Sequence, residues 1–262
     1  MCSKKNTSFF VIVFILLLTD LYAYAGEKKI VHLVAHRRFH KVDATMQLHE
    51  EIVKQAFVHA GYTVIFHSRP FIRALSAVQD GKFHAIYTTF RNKEREKIFY
   101  ASDAYLSTKI FFYKKKDKTI FYDGSIHSLK PYRIGITRGW SVNDKFDSAK
   151  DLNITYVNRP IQLISMLHNE RIDITPFDTF QVQTFIQQVD PKYKKLTVPI
   201  YPPARKATVH ALFSKKISGN KKRMQHFNEG LKKIISNGTI RKIEQKYGLE
   251  TGLLKSGKDT DE

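Results

Sequence analysis

The chain is nearly devoid of cysteine: of 262 residues only Cys2 carries a thiol. This excludes a disulfide framework and a cysteine-rich zinc site, so a packed apolar core has to hold the fold. Acidic residues are also scarce, 24 Asp and Glu against 44 Lys and Arg, giving a net charge of +20. The cations are scattered, with Lys114-Lys115-Lys116 and Lys221-Lys222-Arg223 the densest clusters. Without a basic arm or long tract, the surplus reads as a solvated surface, and nucleic acid is not an expected partner. Long apolar runs are missing with one exception, Phe9 to Leu18. That run is about half of what a bilayer-spanning helix needs.

What is present begins with that run. Lys4 and Lys5 precede it and Ala23-Tyr24-Ala25 follows it. A positive start, a short apolar stretch and a small-x-small site together predict a secretory signal over residues 1–25, and hence a periplasmic protein. An uncleaved anchor is the alternative. Cys2 lies ahead of the apolar run, the wrong place for a lipid-modified cysteine. The hydrophobic content of 42%, with 13% aromatic, is ample for a core, and the polar stretch after Leu254 reads as a tail.

The order of elements is α/β. An apolar, β-branched strand over 29–35 leads through a polar loop to a helix whose apolar positions run from Met46 to Ala60 and stop at Gly61. A strand follows at 63–66, then a helix over 70–80 and a strand at 84–87. The middle of the chain repeats this order. Strands are predicted at 133–136, 154–157 and 171–175, with a helix capped by Ser141 running through Ala149, another over 160–169, and one after Asp178 capped by it. A strand at 209–213 and helices at 221–236 and 239–247, broken at Asn237-Gly238, close the chain. Two α/β units in series imply two lobes, with polar ligands expected beyond the carboxyl ends of the strands, in the loops after Ala35, Tyr87, Ile136 and Thr175.

One stretch is specific. In the run from Thr88 to Tyr105, Glu94, Arg95, Ser102, Asp103 and Tyr105 are spaced as in a known pattern, although Asn92, Ala101 and Ala104 depart from it. Pro70-Phe71, Gln79-Asp80-Gly81-Lys82, Gly135 to Gly139, Asn237-Gly238-Thr239 and Glu244 to Gly248 add to it. On these residues nearly the whole exported chain resembles the family 3 extracellular solute-binding proteins of the polar amino acid type. The resemblance implies a two-lobed periplasmic-binding-protein-like fold of type II. Lobe 1 would hold 26–106 and 209–262, and lobe 2 would hold 107–208. Hinge strands would lie near 108–112 and 206–210. It further implies that Arg95 clamps a ligand carboxylate and Asp178 accepts from its ammonium. Phe71 and Phe39 would wall the apolar part, and Thr88 would line the cleft. Thr137, Gly139, Trp140 and Ser141 would assist the carboxylate. Partners would be a small polar solute and either the membrane permease of an ABC importer or a sensor, with the protein a monomer. The segment His36 to His40 stands where the family has an aromatic-proline stretch, and its cations would also suit an acidic ligand.

No catalytic residue, cofactor or metal is expected. A dehydratase on the same fold would need an acid of tuned pKa, for which Asp178 is the one candidate. His32, His36 and His40 share a spacing of four, but they run from a strand into a loop, and chance explains them.

Overall fold

The structure, a computed structural model, describes residues 29–36 and 44–252. The predicted signal and the Phe39 position lie outside the described residues, as does the tail. Strand β1 (Lys29–His36) sits between β2 (Tyr62–Arg69) and β3 (Ala85–Phe90), parallel to both. Its alternation sends Val31, Leu33 and Ala35 into one apolar cluster and Val34 into another. A strand buried on both faces is continuously apolar, and parallel sheets are built that way. Helices α1 (Ala44–Val58), α7 (Asn220–Ser236) and α8 (Thr239–Tyr247) cover the first face, and α2 (Phe71–Gln79) the second. Between α7 and α1 the approach is so close that a Cβ on Gly230 would lie 1.8 Å from the Ala56 carbonyl oxygen.

After helix α3 (Lys93–Ile98) and the short β4 (Phe99–Ala101), strand β5 (Leu106–Lys115) leads into the second lobe. There β6 (Arg133–Thr137), α4 (Asp144–Ser148) and β7 (Asn153–Val157) form a small parallel unit, followed by α5 (Ile161–His168), β8 (Thr175–Asp178) and α6 (Gln181–Val189). The chain returns along β9 (Thr197–Ser214), antiparallel to β5 and then to β3 and β4. The order β2-β1-β3-β9-β5-β8 therefore makes one sheet that runs through both lobes. Four apolar clusters fall two to a lobe, and Trp140 packs against three of them.

Several expectations are corrected. Ser141 does not cap a helix: α4 starts at Asp144, and Asn143 caps it by accepting from the Phe146 N–H at 2.9 Å. The strand expected at 171–175 lies at 175–178, because pairing with β5 selects those residues and leaves Ile174 a single bridge to Ile134. The strand expected at 84–87 runs on to Phe90, and that expected at 209–213 is the end of an 18-residue strand. The ends of all three strands are decided by partners distant in sequence, which local patterning does not contain.

Candidate functional site

The site is built where the strand ends of the two lobes face each other. Arg95 comes from α3, whose start is capped by Asn92 accepting from the Arg95 N–H at 2.8 Å. Asparagine is among the residue types that favour this capping position. The Arg95 side chain is buried, and its guanidinium reaches in three directions. Nη1 donates to Thr89 Oγ1 (3.1 Å) and to the Phe90 carbonyl (2.7 Å), and Nη2 donates to the Gly139 carbonyl in the other lobe (3.0 Å). It also stands 5.3 Å from the Phe71 ring. Burial brings the Arg95 pKa down to about 10, with Asp147 acting in the opposite direction and Arg205 adding to the fall. At neutral pH it remains a cation, and two of its five N–H donors are left beyond these bonds.

Asp178 comes from the other lobe, at the end of β8 opposite Ile110. Its carboxylate accepts from the Phe180 and Gln181 N–H groups at 2.9 and 2.8 Å, in the turn that leads into α6, whose N-cap position is Phe180 rather than Asp178 as expected. Burial, Asp178 and Tyr201 push the nearby Tyr113 phenol up and keep it protonated.

Arg95 and Asp178 line one cavity between the lobes, with about 50 Å³ of solvent-accessible space. Its walls include Phe71, Phe90, Trp140 and Phe177, with Thr88 and Gln181 among the polar groups. A larger groove of about 410 Å³ also reaches Arg95 and is lined by Leu75, Ile98 and Tyr156 among others. Arg95, Ile136, Trp140 and Ser141 belong to both. An arrangement of one buried cation, one buried anion and aromatic walls can hold a small zwitterion at both ends while packing its apolar part.

The other expected residues are distributed as follows. Phe71 and Thr88 line the inner cavity, and Gly139 lines the outer groove. Ser141 donates its hydroxyl to Asp147. Thr137 is buried and lines neither space, and its hydroxyl has no hydrogen-bond partner. Gly139 is needed for closeness: its φ is +79° and a Cβ there would meet Ile72 Cδ1 of the facing lobe at 2.1 Å. Sequence reasoning missed Thr89 and Phe90, which orient Arg95, although both adjoin Thr88. Among the described residues no group of three or more side chains is placed to hold a metal ion. His32 pairs with His67 at 3.0 Å and stacks on His84.

The family model for bacterial extracellular solute-binding proteins, family 3, matches residues 48–250. The chain belongs to this family. As a family 3 protein it shares its fold with many solved structures. One is the substrate-binding protein of an amino acid ABC transporter, 18% identical, with a TM-score of 0.67 over 83% of this chain and 98% of the other. Another is an ancestral arginine-binding protein bound to arginine, 18% identical, with a TM-score of 0.69 over 85% and 99%. A third is a histidine kinase sensor domain similar to periplasmic binding proteins, 13% identical, with a TM-score of 0.71 over 84% and 96%. At such identities the likeness establishes the two-lobed periplasmic-binding-protein-like fold alone. No curated protein sequence matches the chain.

Proposed function

We propose that this family 3 protein captures an amino acid or a related small zwitterion between its lobes, outside the cytoplasmic membrane, and hands it to the permease of an ABC importer. The observation that carries this reading is the pairing of Arg95 and Asp178, buried on opposite lobes, in the wall of one cavity. A guanidinium matches a carboxylate, and a carboxylate matches an ammonium, only when the solute carries both groups. Because the two residues sit on different lobes, ligand binding and lobe closure are coupled. In this reading residues 1–25 are a cleaved export signal, 26–106 with 209–262 form lobe 1, 107–208 form lobe 2, and the protein acts as a monomer without chemistry on its cargo. Delivery to a membrane sensor is the second reading, favoured by the fold shared with the kinase sensor domain.

The test is a thermal-shift screen of the purified protein against amino acids, dicarboxylates, sugars and oligoamines. A ligand that binds only the folded state raises the melting temperature. An amino acid should do so, and Arg95→Ala and Asp178→Ala should each abolish the shift. Arg95→Lys, which keeps the charge but loses the fork, should weaken binding at least about tenfold. A response to dicarboxylates alone would exclude Asp178 as the acceptor of a ligand ammonium.

A further inference from the structure

Strand β3 carries a defect at the point where it enters the site. Ala85 and Ile86 pair with Phe213 and Leu212, and Thr89 and Phe90 pair with His210 and Val209. Three steps on β3 thus match two on β9, so Tyr87 and Thr88 together face Ala211. This is a β-bulge, a device that re-aims side chains beside functional sites. Its second residue, Thr88, has φ of +61°. That region suits glycine; a β-branched residue there is strained by about 1–2 kcal/mol unless its surroundings hold it.

Two side chains from one short segment meet the bulge. Tyr105 accepts the Thr88 N–H at 2.8 Å, and Ser102 Oγ accepts the Ala211 N–H at 2.9 Å. Ser102 also donates its own N–H to the Ala211 carbonyl at 2.9 Å. Tyr105 is wholly buried, and its hydroxyl stands 3.1 Å from Nδ1 of His49, itself 4% exposed, on α1. With the phenol oxygen accepting from Thr88, its own proton can go to His49.

We infer that Tyr105, backed by His49, is a positioning residue that holds Thr88 in its left-handed conformation and so sets the strand end that aims Arg95. The line of action is short. Thr88 fixes Thr89 and Phe90, whose hydroxyl and carbonyl hold the guanidinium, which in turn reaches Gly139 beside Trp140. The Ser102 and Tyr105 pair therefore serves the site without touching the ligand. An affinity readout rests on the proposed amino acid site; a fluorescence readout does not.

Trp140 is the single tryptophan of the chain, so its emission reports the junction without a ligand. Four proteins decide the matter: the parent, Tyr105→Phe, Thr88→Gly and the double variant. Each is followed by tryptophan emission and by calorimetric titration with the twenty proteinogenic L-amino acids. Tyr105→Phe should shift the emission and weaken the binding amino acid about tenfold, the scale of one lost buried hydrogen bond. The double variant should return the emission toward the parent, because glycine takes a positive φ unaided. The affinity is compared only between the parent and Tyr105→Phe, since Thr88 itself lines the cavity. A hydroxyl with only a stabilising role would leave the double variant as altered as Tyr105→Phe, and that result overturns the inference. Unchanged emission in Tyr105→Phe overturns it too. Thr88→Gly alone should melt no lower than the parent; a lower melting temperature would mean Thr88 is not held against strain. If no amino acid binds the parent, the proposed function fails while the emission comparison still decides this inference.

Discussion

Lobe 1 takes polar groups into its core, pairing His49 with Tyr105, Ser102 with His210, and Asn220 with the Ser214 carbonyl. Lobe 2 has an aromatic interior around Phe112, Phe146, Phe177 and Phe185 and keeps its ionic pairings at the surface, with Lys115 and Lys118 on Glu170, Arg133 on Asp173, and Lys130 on Asp151. Buried polar pairs fix one arrangement because an unmet partner is costly, whereas exposed ion pairs are weak and screened. Lobe 1 also carries exposed pairs, Lys246 on Glu51 and Lys97 on Glu94, and aromatic core residues, so the difference lies in its buried polar pairs, which suit the roles proposed for the lobes. The lobe that aims Arg95 must hold a strained strand end, and its buried hydrogen bonds do so.

The comparison can be broken most sharply at two glycines. In lobe 1 a Cβ on Gly230 meets backbone, the Ala56 carbonyl, which cannot move without separating α7 from α1. In lobe 2 a Cβ on Gly135 meets Ile172 Cδ1 at 2.5 Å and Leu163 Cδ2 at 2.7 Å, both ends of flexible side chains. Gly230→Ala should destabilise by about 3 kcal/mol or more and Gly135→Ala by about 1–2 kcal/mol. Denaturant unfolding of both variants measures this, and equal losses would erase the distinction.

Acid should act in two windows. The first is set mainly by buried histidines of lobe 1, with His168 of lobe 2 adding to it, and the second by paired carboxylates, Glu51 of lobe 1 among them. In lobe 1 burial, with Arg223 and His32 nearby, lowers His84 to about 4, and burial likewise lowers His67 and His210. The unfolded chain binds these protons first, so stability is lost as pH falls from about 6.5 toward 4. For His84 the loss is on the order of 1–2 kcal/mol after allowance for the solvent screening of a half-buried ring. In lobe 2 hydrogen bonds from Lys115 and Lys118 lower Glu170 to about 2, and Arg133 lowers Asp173. Their contribution is present above the unfolded carboxylate pKa and is lost only as pH falls below about 4.5. Melting temperatures between pH 7 and 3 should show both falls, and His84→Asn should reduce the first and leave the second unchanged.

The smallest effect belongs to salt. Raising ionic strength to about 1 M should reduce the benefit of the Arg133–Asp173 pair, so that Asp173→Asn, which costs under about 1 kcal/mol at low salt, costs less still. A cost that did not change with salt would place that pair among the buried kind and weaken the contrast.

Much of the fold was legible in the residues. The apolar strand 29–35 and the break at Asn237-Gly238 appear where periodicity and glycine place them, because each depends on neighbours in the chain. The helix expected to stop at Gly61 ends at Val58 with a turn through Gly61. Strand β8 and the length of β9 were not legible, since remote strands select which residues pair. Of the site, the motif and spacing pointed to Arg95 and Asp178, and the structure brings both to one cavity wall.

The sequence by itself determined the residue types of the site, the α/β order and a chain that needs no disulfide. Only the tertiary structure decided that Arg95 spends part of its guanidinium on the opposite lobe, that Thr88 sits at a positive φ, and that Tyr105 meets its amide. These depend on atoms from segments far apart in sequence arriving within about 3 Å of each other, and such distances are set by close packing. No local pattern of residues encodes them.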